Sequence, residues 1–317
     1  MAGRSRVTVE PDLIDSGKTL YRGRFAPSPT GPLHFGSLVA AIASYLQALV
    51  NDGDWLLRIE NIDPPREVSG ATGAIIDSLG AHGFRWHGDI LYQNENEDRF
   101  ARAIGKLLDR GLAYPCDCSR EQIRAIARSG KAGAIYPGTC RFRTAPPDAT
   151  KPAAIRVRTS GASVFFEDLL QGPIDCNVED DIGDFIVRRK DGLTGYNLAV
   201  VIDDHDQLIT EIVRGADLLD FTPAQIYLQQ LLDLDTPAYL HVPMVMKRDG
   251  SKLSKQTGAQ ALDDSRAARN LVEGLELLAQ DPPANLITAA VDDIWNWARA
   301  NWRPLKLHGK REILKQD

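Results

Sequence analysis

The chain of 317 residues sets 37 Lys and Arg against 43 Asp and Glu, a formal charge of −6, with 43% apolar and 25% charged residues. This composition is that of an ordinary soluble globular protein; it excludes one that coats nucleic acid indiscriminately, because phosphate-dominated affinity needs clustered cations, and leaves room for a local RNA-binding face. The sequence has no apolar run of about 18 residues or more that could span a bilayer, and the length predicts a large nucleotide-binding unit with an insertion and a helical appendix.

Residues 1–19 hold Arg4, Arg6, Glu10, Asp12 and Asp15 with no apolar core between them. They read as a flexible N-terminal extension rather than a secretory signal, and a cytoplasmic location is expected. Residues 19–25 read as a short strand, broken by Ala26-Pro27-Ser28-Pro29-Thr30-Gly31-Pro32, a loop that no helix accommodates. After His34-Phe35-Gly36-Ser37, the apolar positions Leu38, Ile42, Tyr45, Leu46 and Leu49 recur at helical spacing, with Ser37 the expected N-cap. Residues 55–60 offer a second strand ending at Asp63-Pro64-Pro65, so strands and helices alternate as in a parallel α/β sheet.

From Tyr114 the pattern turns to Cys-, Gly- and Pro-rich segments with short β-like runs at 154–158 and 164–166, an inserted α+β domain. Alternation returns with the apolar runs 184–187 and 198–202, a helical stretch from Pro223 to Leu232 and a strand-like run at 240–245. Beyond Leu262 the pattern is helical, interrupted at Asp281-Pro282-Pro283, with Trp295, Trp297 and Trp302 in a final amphipathic segment. The expected division is a first catalytic half over 20–113, the insertion over 114–177, a second catalytic half over 178–261 and a short helical C-terminal segment over 262–317.

Two segments carry the chemistry. The loop from Arg24 to Ser37 sits between a strand and a helix, where backbone amides and the helix dipole favour phosphate. Lys252-Leu253-Ser254-Lys255-Gln256, preceded by Lys247, Arg248, Asp249 and Gly250, is a basic loop suited to a triphosphate. Taken singly, the first could be only a turn and the second only a solvated one. Cys116, Cys118 and Cys140 crowd together while Cys176 stands apart, a pattern that favours a metal site in a reducing compartment over a disulfide framework, with free buried thiols as the alternative. The spacing leaves the fourth ligand open, Asp117 or a water being the simple choices. His82, His87, His205, His241 and His308 receive no role, and the basic residues Arg303, Lys306, Lys310, Arg311 and Lys315 read as a solvated face.

Together the two segments resemble the HIGH and KMSKS signatures of class I aminoacyl-tRNA synthetases. The resemblance is to the glutamyl and glutaminyl branch, and within it to the short bacterial glutamyl-Q tRNA(Asp) synthetases. It covers residues 20–261 and rests on four ordered blocks: Arg24 to Gly31, Leu57-Arg58-Ile59-Glu60, Tyr196 to His205, and Ile212 to Leu219. Ser37 replaces the second His of the HIGH pattern, a position where that branch accepts small residues, and Gln256 replaces the terminal Ser of KMSKS.

The resemblance implies a Rossmann-like parallel sheet and ATP-dependent activation of L-glutamate to glutamyl-adenylate. His34 and Lys255 are the implied catalytic residues, and ATP would be held by His34, Gly36, Lys252 and Lys255 with magnesium. Arg24, Ser28, Glu60, Tyr196 and Arg214 would bind glutamate: Glu60 takes the ammonium, and Tyr196 with Arg214 faces the side-chain carboxylate. One structural zinc would be held by Cys116, Cys118, Cys140 and Tyr136. The short stretch after Lys255 leads to the expectation of no anticodon-binding domain, of a monomer, and of transfer to the queuosine diol of tRNA(Asp). The alternatives are a minimal glutamyl-tRNA synthetase charging a terminal adenosine, a glutamate ligase acting on a small molecule, and a non-catalytic RNA-binding paralogue that would not need these side chains.

Overall fold

The computed structural model describes residues 20–130, 133–143, 151–246 and 261–315. The expectations for residues 1–19 and for Lys252 and Lys255 lie outside the described residues. The first half comprises β1 (Arg22–Phe25), α1 (Phe35–Val50), β2 (Asp54–Ile59), α2 (Ala71–Ala81), β3 (Leu91–Tyr92) and α3 (Glu97–Asp109). The three strands pair in parallel, Arg24 beside Leu56 and Arg58 beside Leu91. Helix α1 buries Leu38, Ile42, Tyr45 and Leu46 as its spacing predicts. Its N-cap is His34 rather than the expected Ser37, and the His34 ring accepts from the Ser37 backbone N–H at 3.3 Å. Cap propensity favoured the serine, but the helix begins earlier, and there the imidazole satisfies the orphan amide of Ser37 itself.

The stretch expected as an insertion contains β4 (Ala113–Cys116), α4 (Arg120–Ile126), β5 (Arg128–Gly130), β6 (Gly133–Ile135), β7 (Ala154–Val157), β8 (Ser163–Asp168) and β9 (Gly172–Asn177). After it come α5 (Val178–Asp181), β10 (Ile186–Arg188), α6 (Tyr196–Asp206), β11 (Glu211–Gly215), α7 (Thr222–Leu232), β12 (Ala238–Val242) and β13 (Met244–Met246). Pairing crosses residue 177 in both directions. Strand β10 joins β7 and β4 in a small antiparallel sheet, while the β8–β9 hairpin attaches to β12 through Asp168 opposite Tyr239. Asp184 ties the small sheet together by accepting from the Tyr114 hydroxyl, from Arg141 at 2.7 and 2.9 Å, and from the Thr159 amide at 2.9 Å.

The apolar run 198–202 lies in helix α6, which buries every residue from Leu198 to Asp204. A short continuous apolar run has no period to separate a buried helix from a buried strand. Beyond Leu262 the expected helices are α8 (Ala267–Leu277) and α9 (Val291–Asn301), followed by β14 (Glu312–Leu314), which pairs in parallel with β13. Trp302 falls just past α9 and is buried. Both helices dock on α1: a Cβ at Gly274 of α8 would lie 2.4 Å from Ile42 Cδ1, so any larger residue there would have to displace the end of the Ile42 side chain. Trp295 of α9 enters an aromatic cluster with Tyr45 and Phe84, at centroid distances of 4.8 and 5.0 Å.

The main sheet has two parallel halves, β3-β2-β1 and β11-β12-β8, the second edged by antiparallel β9. They meet at the starts of β1 and β11, where the Thr210 amide donates to the Arg22 carbonyl at 2.9 Å. A crevice therefore forms at the carboxyl ends of β1 and β11, the topological switch point at which open α/β sheets bind ligands. No helix among the described residues is long and apolar enough to cross a membrane.

Candidate functional site

That crevice is a cleft of about 660 Å³ lined by Arg24, Ser28, His34, Gly36, Glu60, Tyr196 and Arg214. All the expected ATP- and glutamate-binding residues that lie among the described residues are thus brought together. The loop after β1 leads into the start of α1, and Gly31 within it adopts a φ of 142°, open to glycine and strained for other residues. The His34 backbone forms an isolated bridge with Ala261, and the Leu262 amide donates to the Leu33 carbonyl at 3.1 Å. Ala261, the first described residue after Lys252 and Lys255 in the chain, therefore lies beside His34.

The floor of the cleft is an ion-pair network. Arg24 donates from Nε to Asp204 Oδ1 at 2.9 Å, and Arg58 donates from Nη2 to the same oxygen at 2.5 Å. Arg58 Nη1 reaches Gln207 Oε1 at 2.8 Å, and its Nε lies 3.8 Å from Glu60 Oε1. All four ionic side chains are buried. Burial pushes the Asp204 carboxyl up, but Arg24 and Arg58 outweigh it and hold the group below the usual range. Glu60 has the opposite balance: burial raises it to about 7 against the pull of Arg58 and Arg24, leaving a carboxylate short of positive charge at the cleft. Tyr196 opens α6 and is pushed above its ordinary value, first by burial and then by Glu60, so its hydroxyl stays neutral.

Arg214, on β11, forms the opposite wall. Its Nε donates to His241 Nε2 at 3.0 Å, and its Nη2 to Thr222 Oγ1 and Gln225 Oε1, both at 2.8 Å. Its Nη1 is buried with no hydrogen-bond partner. A buried guanidinium with an unsatisfied nitrogen is costly unless an anion meets it, so the cleft presents a donor for an anion on one wall and a carboxylate for a cation on its floor.

A second cluster lies apart in the small sheet. The sulfurs of Cys116, Cys118 and Cys140 all fall within 4.8 Å of one another. The Tyr136 hydroxyl lies 3.3 Å from Cys116 Sγ and 3.5 Å from Cys118 Sγ, and the Cys118 and Cys140 sulfurs are 3.4 Å apart. Four donors around a tetrahedral ion with 2.3 Å bonds to sulfur would be separated by about 3.7 Å, so this donor set fits a metal. Asp117 is engaged by Arg143 at 2.8 Å. Burial pushes the Cys118 thiol up to about 11. At Cys116 burial acts the same way, but hydrogen bonds from Tyr136, the Cys118 amide and Arg156 outweigh it and lower the thiol.

Residues 21–276 match the family model described as tRNA synthetases class I (E and Q), catalytic domain. The chain belongs to this family. Among curated relatives, a glutamyl-Q tRNA(Asp) synthetase of Ectopseudomonas mendocina is 48% identical over 295 residues, covering 93% of this chain and 97% of that protein. One from Dechloromonas aromatica is 48% identical over 284 residues, covering 89% and 94%. The crystal structure of a glutamate tRNA ligase from Elizabethkingia meningosepticum in complex with its amino acid superposes with a TM-score of 0.78 at 23% identity, covering 94% of this chain and 67% of that one, which shows the shared fold.

Within this class I catalytic fold, sequence reasoning missed the residues that hold the cleft in place: Asp204, Asp168, His241, Thr222 and Gln225. The signal available was Asp204 itself, inside the block from Tyr196 to His205, where a carboxylate in an apolar run needs a buried cation.

Proposed function

We propose that this protein joins L-glutamate to ATP to form glutamyl-adenylate and transfers the glutamyl group to the queuosine diol at the wobble position of tRNA(Asp), acting as a cytoplasmic monomer. The observation that carries the glutamate reading is Arg214 Nη1, a buried donor without a partner in the wall of the cleft that also holds Glu60. Glutamate offers two carboxylates and an ammonium. Arg214 with the neutral Tyr196 hydroxyl receives the side-chain carboxylate, Glu60 receives the ammonium, and Arg24 and Ser28 complete the pocket. Glutamine would leave the buried guanidinium without an anion, a penalty of about 3–5 kcal/mol for a broken buried pair.

In activation, an oxygen of the α-carboxylate attacks the α-phosphorus of ATP and pyrophosphate leaves. His34, held at the start of α1, donates to the α-phosphate oxygens as charge grows there, and the Gly36 amide near the same helix start adds a backbone donor. Lys252 and Lys255 would neutralise the β- and γ-phosphates, and magnesium enters with ATP. In transfer, a diol oxygen attacks the glutamyl carbonyl carbon and AMP leaves. The curated relatives named for glutamyl-Q tRNA(Asp) support the acceptor.

Zinc would be held by Cys116, Cys118, Cys140 and Tyr136 as one structural ion per chain, supplying a crosslink rather than reactivity. Tyr136 is favoured over Asp117 because its hydroxyl sits 3.3 and 3.5 Å from two sulfurs, whereas Asp117 reaches one, Cys140 Sγ at 3.7 Å from Oδ1, while its Oδ2 pairs with Arg143.

The test is attachment of labelled glutamate to tRNA(Asp) with and without queuosine, each with and without its terminal CCA. Labelling that requires queuosine and survives CCA removal is expected. Labelling that requires the CCA end and ignores queuosine would make the protein a minimal glutamyl-tRNA synthetase.

A further inference from the structure

Three neighbouring strands place three polar side chains in a row behind the cleft. Arg214 on β11 stands opposite His241 on β12, and Asp168 on β8 stands opposite Tyr239, two residues before His241. Asp168 and His241 are buried, and their side chains meet at 2.6 Å between Oδ2 and Nδ1. The other ring nitrogen, Nε2, faces Arg214 Nε at 3.0 Å.

The polarity of this row has one solution. A guanidinium only donates, so His241 Nε2 must accept; the ring proton is then on Nδ1 and points to Asp168. Asp168 is fixed in turn, its Oδ1 accepting from the Leu170 and Gln171 amides at 3.0 and 2.8 Å. Burial, with Arg214 nearby, lowers His241 to about 4, so the ring is neutral at ordinary pH and adds no second positive charge beside Arg214. Nε and Nη2 of Arg214 have all their hydrogens engaged, which fixes the plane of the guanidinium and leaves the Nη1 pair for a ligand.

We propose that Asp168 is a positioning residue for amino-acid specificity: by selecting the Nδ1–H tautomer of His241 it turns that ring into the acceptor that orients Arg214. The proposal rests on Arg214 receiving the side-chain carboxylate of glutamate. Asp168 touches no substrate; its influence passes through two buried hydrogen bonds.

Asp168→Asn separates this role from simple packing. The substitution is nearly isosteric, and its oxygen can still accept from the Leu170 and Gln171 amides. Its NH₂ then faces His241 Nδ1 and forces the ring proton onto Nε2, against the Nε–H of Arg214. Glutamate KM should rise about tenfold or more, the size of one charge-assisted hydrogen bond, while KM for ATP and the melting temperature hold and the preference for glutamate over glutamine falls. His241→Gln supplies an amide oxygen near the Nε2 position and has no tautomer, so in that background Asp168→Asn should add less than about twofold, the signature of coupled sites. Equal rises in both KM values, or additive effects in the double variant, would reduce Asp168 to a packing residue and overturn the proposal. A glutamate KM unmoved by Asp168→Asn but raised by Arg214→Lys would overturn it while leaving Arg214 in place, whereas a KM unmoved by Arg214→Lys would remove the underlying reading. Should Asp168→Asn fail to fold, His241→Gln against His241→Leu decides: the proposal requires the leucine variant alone to lose glutamate affinity, and equal losses overturn it.

Discussion

The cleft and the cysteine cluster solve the same problem, holding polar groups at fixed positions, by opposite means. Arg24, Arg58 and Asp204 come from segments 146 and 180 residues apart, and the sheet with its packed helices brings them together under deep burial. Cys116, Cys118, Tyr136 and Cys140 lie within one short stretch, where the apolar cluster comprises Tyr114, Cys116, Tyr136 and Cys140 with Cys118 and Ile123 packed against it. A core that small supplies little stability of its own. The cleft is thus preorganised by the fold, whereas the cluster, on the proposed reading, would rely on a bound ion to stay in shape.

The largest expected effect breaks that contrast directly. Removing the metal with a strong chelator, or replacing Cys116 and Cys118 together by Ser, should forfeit a binding free energy on the order of 10 kcal/mol that is also local folding free energy. Hydrogen exchange should then show lost protection in β4 and β7 while α1 and β2 keep theirs. Equal loss in both regions would mean that the cluster supports the whole fold. Next comes Asp204→Leu, which leaves Arg24 and Arg58 buried without their shared carboxylate. Destabilisation of about 3–5 kcal/mol is expected in denaturant unfolding, and an unchanged midpoint would show that the network contributes nothing.

Arg214→Ala acts on function more than on folding. It should lower kcat/KM for glutamate by about 10²-fold, a loss of roughly 3 kcal/mol, and narrow the gap to glutamine, as measured by pyrophosphate exchange with each amino acid. Smaller still is the effect of pH through Glu60. With its carboxyl raised to about 7 by burial, the empty cleft holds a protonated Glu60 below that pH, and a protonated acid cannot pair with an ammonium. Glutamate KM should therefore fall about tenfold from pH 6 to pH 8, and Glu60→Gln should flatten the profile. For the unliganded protein the sign is reversed: the stability associated with this raised carboxyl is present below its ordinary value of 4.5 and is lost as pH rises through about 7. The smallest effect is expected for Tyr136→Phe, which removes one of four donors and should weaken zinc retention in a chelator competition while leaving one ion per chain at saturating metal. Unaltered retention would take the phenol out of the site.

The same contrast decides what the sequence made legible. The cluster was visible in spacing, because its sulfurs are neighbours along the chain. The cleft residues were visible through ordered blocks, and Arg24, Ser28, His34, Gly36, Glu60, Tyr196 and Arg214 all line one cavity. Their supports were not visible. Asp168 and His241 are 73 residues apart and meet only because β8 and β12 are adjacent, a pairing no local pattern announces. The helix at 196–206 was hidden for a related reason: burial on all sides erases the polar face that would show its period. Strand β14 is three residues long and gains its identity only from β13 beside it.

The most direct test of glutamate activation in this cleft is exchange of labelled pyrophosphate into ATP by the intact protein, with glutamate, glutamine and aspartate compared at equal concentration. Exchange is expected with glutamate and should be lower by about 10²-fold or more with the other two, because neither places a carboxylate at Arg214 while its ammonium is on Glu60. Equal exchange with glutamine or aspartate would contradict the assignment of Arg214 and Glu60 as the two ends of the substrate site.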